Sequence, residues 1–83
     1  MARIRWSVDY YLGLTAVARN RLRRSRILAK LRRIKRQHPA LEFTVNRGDF
    51  FIDVEFVSNN DYLVFALLWP TNFPAWETIN DFS

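Results

Sequence analysis

Three carboxylates, one histidine and a long run of arginines are the side chains here that could do chemistry. Glu42, Asp53 and Glu55 fall at alternating positions of two segments that read as strands, so all three point to one outer sheet face. In either register that a hairpin around Arg47-Gly48-Asp49 allows, Glu42 stands opposite Asp53 or Glu55. Opposed like charges cost stability. Such a cluster suits a metal ion, an acid–base pair or a basic partner, although an ordinary solvated face is the simpler account. His38 is the only histidine and precedes Pro39 at a helix end, a structural position. No Ser or Thr has a histidine partner in sequence and no metal-ligand spacing occurs. Two glycines are too few for a Gly-rich phosphate loop. Arg47-Gly48-Asp49 reads as turn chemistry. The expectation is therefore no catalytic residue, no metal, no cofactor and no enzymatic activity.

The arginines carry the stronger signal. "RNRLRRSRILAKLRRIKRQHP", residues 19–39, holds ten of the thirteen basic residues, and no acid lies between Asp9 and Glu42. Residues 1–41 carry twelve basic groups against one acid, and residues 42–83 carry one against seven. Like charges at i and i+4 destabilise a helix, so a polyanion would relieve it. Eight arginines against two lysines in this stretch favour forked contacts to phosphate or carboxylate. Arg19, Arg23, Arg26, Lys30 and Arg33 are expected opposite the apolar arc, with Arg21, Arg32 and Arg36 along one flank. The expected binding residues are Arg19, Arg23, Arg26, Lys30, Arg32, Arg33 and Arg36. The expected partner is nucleic acid, held through its backbone phosphates; the alternative is an acidic protein surface. No zinc-finger spacing, aromatic RNA-recognition signature or GXXG clamp is present.

These side chains need elements to position them. Ile4, Trp6, Val8, Tyr10 and Leu12 alternate with Arg3, Arg5, Ser7 and Asp9, the period of a strand, while Tyr10, Leu14 and Val17 also have helical spacing. Residues 1–14 are thus ambiguous, leaning to an extended start that turns near Gly13 with Thr15 as a helix cap. Residues 16–37 read as helix, with Ile27, Leu28, Leu31 and Ile34 forming the apolar arc and Pro39 setting the end. Arg24 sits on that arc, so the helix outruns its sheet or breaks near Ser25. Three strands follow: Leu41–Asn46, Phe50–Val57, and Tyr62–Trp69 after a turn at Asn59-Asn60. That turn would pair Phe56 with Leu63, Val54 with Phe65, Ile52 with Leu67 and Phe50 with Trp69. Phe43 and Val45 share this inner face. Phe51, Val57, Tyr62, Val64 and Leu68 join the acids on the outer face, which invites cover from the N-terminal segment, the tail or another subunit. Residues 70–83 form a packed tail.

At 83 residues the chain is one small domain, 1–83, of class α+β: one long basic helix packed on a three- or four-stranded antiparallel β-meander. Absent cysteine excludes disulfides and is compatible with a cytoplasmic location. No apolar run reaches the roughly 18–20 residues of a membrane span, and the first residues lack a signal-peptide pattern. A homo-oligomer through the outer sheet face is a further expectation.

Residues 25–82 also resemble the N-terminal half of the ubiquitin-conjugating enzyme fold. The likeness lies in a basic helix ending in His38-Pro39, three meandering strands, then "LVFALLWPTNFPAWETINDF". In that family the third strand leads into Phe-Pro, two residues, then Tyr-Pro. Here Trp69-Pro70 and Phe73-Pro74 keep the spacing, with Phe65 and Leu67 before them. Glu77-Thr78 stands where the family has Pro-Pro, and the chain has no cysteine. The resemblance implies a truncated, non-catalytic relative whose first helix docks on an acidic protein.

Overall fold

Among the described residues six elements follow one another: β1 (Ala2–Ser7), α1 (Leu14–Gln37), β2 (Thr44–Arg47), β3 (Phe51–Phe56), α2 (Asn59–Leu68) and β4 (Glu77–Asn80). The computed structural model describes residues 1–7 and 14–80, and for residues 14–22 the backbone alone.

β1 forms because its residues alternate. Ala2, Ile4 and Trp6 are fully buried, while Arg3, Arg5 and Ser7 face the other way. The extended start holds over this segment, but it is a central strand rather than a cover for the outer face. The turn expected near Gly13 lies outside the described residues, and Thr15, expected as a cap, falls inside α1.

The sheet order is β2-β3-β1-β4, and every pairing is antiparallel. Ile4 stands opposite Val54, and Trp6 opposite Ile52. Only β2 and β3 are joined as a hairpin. The units β1-α1-β2 and β3-α2-β4 interleave, each leaving room for a strand of the other, which is the ferredoxin-like arrangement. The tail expected after Pro70 supplies β4, which pairs with β1. The expected class, a basic helix packed on an antiparallel sheet, is what the structure has.

α1 runs unbroken through Ser25, and its Ile27, Leu31 and Ile34 enter the core. It stops where Pro39 begins: His38 N–H donates to Ile34 O at 2.8 Å and Leu41 N–H to His38 O at 3.0 Å. Arg24 neither outruns the sheet nor bends the helix. Its Nη2 donates to the carbonyls of Gly48 and Asp49, so α1 clamps the β2–β3 turn. That turn is closed by Gly48 N–H donating to Phe51 O at 2.9 Å. A Cβ on Gly48 would come within 2.7 Å of the Phe51 ring, so the ring would have to move.

The third strand of the expected meander is instead α2. Ser58 is extended at φ −100°, ψ 131°, and its hydroxyl accepts from Asp61 N–H, the capping geometry of a helix start. Asp61 lies in the first turn, where the helix dipole favours an acid. Tyr62, Phe65 and Trp69 then recur at helical spacing, with Phe65 fully buried. Trp69 N–H closes the last turn on Phe65 O at 3.1 Å, and Pro70 follows. The pairings expected for Leu63, Phe65, Leu67 and Trp69 with β3 therefore do not exist. Tyr62, Val64 and Leu68 pack against the core, not on the outer sheet face, and Leu67 is 87% exposed.

Two smaller corrections concern the hairpin. β2 begins at Thr44, with Leu41 and Phe43 buried ahead of it. Phe50 stands exposed at the turn rather than on the inner face. Val45 does lie opposite Val54, as expected. The core is strongly aromatic: Trp6 lies 4.7 Å from Trp69 and edge-on to Trp76 at 5.8 Å between ring centroids. Both Trp6 and Trp69 donate their indole N–H to Pro74 O at 2.9 Å. One carbonyl thereby ties β1, the end of α2 and the approach to β4 together.

Candidate nucleic-acid interface

α1 is 24 residues long, about 36 Å at about 1.5 Å per residue, roughly one turn of duplex. Packing divides its cations into groups. Arg26, Arg32, Arg33 and Arg36 are exposed. Arg23 and Lys30 are half-buried, because they sit one turn before Ile27 and Ile34 and so flank the core rather than oppose it. The Nε of Arg23 is shielded from solvent without a hydrogen-bond partner. Arg26 and Lys30 meet over one ring, Phe73, at 4.7 Å and 5.8 Å from its centroid. These contacts hold both cations on the side of α1 facing the α2–β4 connection. Arg19 lies in α1, with its side chain outside the described residues.

On the other flank, Arg32 comes together with two cations that the sequence pattern does not single out. Arg32, Lys35 and Arg47 rim a hollow of about 80 Å³ floored by Leu28, Leu31 and Val45. Lys35 also stacks over Phe43 at 4.9 Å. The signal for Arg47 is its alternation with Val45 in β2, which brings it to the helix side. The signal for Lys35 is its place one turn after Leu31. Lys35 and Arg36 lie in the last turn of α1, where the dipole stabilises cations. The cations upstream have no such compensation.

The carboxylates do not form the expected cluster. Glu55 stands opposite Thr44, and Asp53 opposite Asn46, while Glu42 lies ahead of β2 and is exposed. The acids of β3 are met by β1 instead. Arg5 holds buried Asp53 in a fork, Nε to Oδ1 at 2.7 Å and Nη2 to Oδ2 at 2.9 Å, and also covers the Phe51 ring at 4.2 Å. Arg3 reaches Glu55 at 3.9 Å. Donating to the Asp53 carboxylate raises Arg5 above its ordinary value against the opposing effect of burial, with Asp53 and Glu77 adding charge attraction. A cation with a raised folded-state value stabilises below its unfolded value and loses that contribution only as pH rises through the folded one. Arg5 thus stays charged throughout the neutral range. Among the described residues, no group of three or more His, Cys, Asp and Glu could hold a metal ion.

A second hollow, of about 350 Å³, lies between Ala66, Trp69, Pro70, Phe73 and Trp76. Thr71 and the Trp69 and Trp76 indoles are its polar side chains, and its lining contains no ionisable group.

Fold and site together define a small α+β domain that presents a basic helix on one side of a four-stranded antiparallel sheet. No protein-family model, curated protein or solved structure matches the chain. Among the described residues, no helix is long and apolar enough to cross a membrane.

Proposed function

We propose that the chain is a non-enzymatic binding protein whose α1 arginines contact the backbone phosphates of nucleic acid. One observation supports this above the rest: among the described residues, both ion pairs lie on the outer sheet face, and none involves α1. Asp53 and Glu55 are matched by Arg5 and Arg3, and no acid among the described residues forms an ion pair with α1. Exposed Arg26, Arg32, Arg33 and Arg36, without an acid partner among the described residues, suit a polymer of phosphates. The outer sheet face suits it less, because Asp53 and Glu55 sit among its cations. That face is open among the described residues, with Val57 78% exposed, and is proposed as a contact for a second copy. Sedimentation at rising concentration tests that contact, and a monomer throughout would exclude it. The proposed setting is the cytoplasm, with which a cysteine-free sequence is compatible.

The test is affinity for generic duplex and single-stranded nucleic acid across a salt series. Log affinity is expected to fall steeply and linearly with log salt. In the triple variant Arg26→Ala, Lys30→Ala, Arg33→Ala the slope should be shallower by about one per lost phosphate contact. Absence of binding to either polymer at low salt sinks the proposal. Nucleic-acid-free capture of an acidic protein that depends on the same three residues would favour the alternative, a protein-docking helix.

A further inference from the structure

The hollow between α1 and β2 lies beside an open sheet edge. We propose that an extended acidic peptide adds to β2 as a fifth strand, seating one aliphatic side chain in this hollow between two carboxylates. The sheet order leaves the outer edge of β2 without a partner strand among the described residues. Such an edge presents backbone donors and acceptors that an added strand can use. Alternate residues of that strand face the helix side of the sheet, where the hollow is. Its floor of Leu28, Leu31 and Val45 is aliphatic, and its volume of about 80 Å³ suits one branched side chain. Its rim carries Arg32, Lys35 and Arg47, with no acid in the lining. The complementary sequence is therefore acid, any residue, aliphatic, any residue, acid.

Other occupants fit less well. A nucleobase would need an exposed ring to stack on, but Phe43 is 6% exposed and already covered by Lys35. A nucleic-acid backbone cannot complete a strand ladder. β2 of a second copy, Thr44–Arg47, carries no acid to answer Arg32, Lys35 and Arg47. β4 of a second copy carries Glu77 opposite Arg5, on the outer face rather than the helix side. This peptide site shares Arg32 with the proposed phosphate-binding face of α1 and is set apart from it by Lys35, Arg47 and the β2 edge.

The probe is the blocked heptapeptide Ser-Glu-Thr-Val-Thr-Glu-Ser, titrated into isotope-labelled, nucleic-acid-free full chain and followed by NMR. Amide shifts should concentrate at Thr44–Arg47 and Arg32–Lys35, with new interstrand contacts to the peptide backbone. Arg47→Glu, an exposed change that should leave the fold intact by circular dichroism, is expected to weaken binding at least tenfold. A peptide with Lys in place of Glu should not bind. Undiminished binding by Arg47→Glu, or shifts confined to residues 23–30 of α1 with none in β2, would overturn the proposal. So would self-association that occupies the β2 edge, or a short oligonucleotide that shifts the same β2 amides at lower concentration than the peptide.

Discussion

Phe65→Ala is expected to destabilise the domain by about 3–5 kcal/mol, whereas Leu67→Asp should change stability by no more than about 0.5 kcal/mol. Phe65 is fully buried, within 5.1–5.7 Å ring-to-ring of Phe56, Phe43, Trp76 and Trp69. Truncating it leaves a cavity where two helices and the sheet meet. At about 0.05–0.15 kcal/mol per residue, a chain of 83 residues has a total of about 4–12 kcal/mol, so this loss is a large fraction of it. Phe65→Leu, which keeps most of the volume, should cost less and keeps the comparison measurable if the alanine variant does not fold. Urea unfolding by far-ultraviolet circular dichroism reads all three. The pair is decisive because a strand at this place would put Phe65 and Leu67 on one buried face, and Leu67→Asp would then bury an unpaired charge. A large loss from Leu67→Asp would sink the helical assignment of Asn59–Leu68.

That segment shows where sequence patterning stops being informative. Tyr62 to Trp69 is apolar at every position, so periods of 2 and 3.6 fit it equally. Length did not arbitrate, and Asn59-Asn60 resembled a hairpin turn. The discriminating signal was Ser58 three residues before Asp61, a capping pair that also sits next to those asparagines. α1 and the β2–β3 hairpin are legible because polar and apolar residues recur there with a single period, whereas residues 1–14 carry both periods and give only a leaning toward the extended start that β1 has. Their order in the sheet was not, since placing β1 between β3 and β4 is a long-range choice that local pattern does not encode.

The candidate site divides in the same way. An arginine-rich face on α1 was visible in composition alone. Which arginines are free was not. Arg24 looked misplaced on the apolar arc, and its partners are two carbonyls in a turn 24 and 25 residues away. Arg23 and Lys30 lie at the margin of the core because the sheet and Phe73 extend the buried surface past the aliphatic arc. From sequence alone Glu42, Asp53 and Glu55 need an outside cation, because local pattern does not show β1 placed beside β3. Once it is, Arg3 and Arg5 answer the acids of β3 from within the sheet.

Trp6 should be the costliest single position among the described residues, and its indole N–H gives a test that volume alone does not. Trp6→Ala empties the centre of the aromatic cluster and is expected to cost about 3–5 kcal/mol. Trp6→Phe and Trp69→Phe each keep a ring and remove one donor. In either single variant the Pro74 carbonyl retains the other indole, so its hydrogen bonding survives. The double variant removes both donors from an oxygen set among Trp6, Trp69 and Trp76. A carbonyl left unsatisfied there should add about 1–3 kcal/mol beyond the sum of the single costs. Urea midpoints for the four chains close the cycle, read by circular dichroism because each substitution also removes a fluorophore. Additivity within about 0.5 kcal/mol would mean that water replaces the indoles at Pro74. The cluster would then owe its stability to ring burial alone, and Trp69-Pro70 and Phe73-Pro74 would contribute shape without a shared acceptor. Strong coupling would instead make the Pro74 carbonyl the point where α2, β1 and the β4 connection are tied. It would also explain why two aromatic-proline pairs stand just where the chain leaves α2 for the sheet edge.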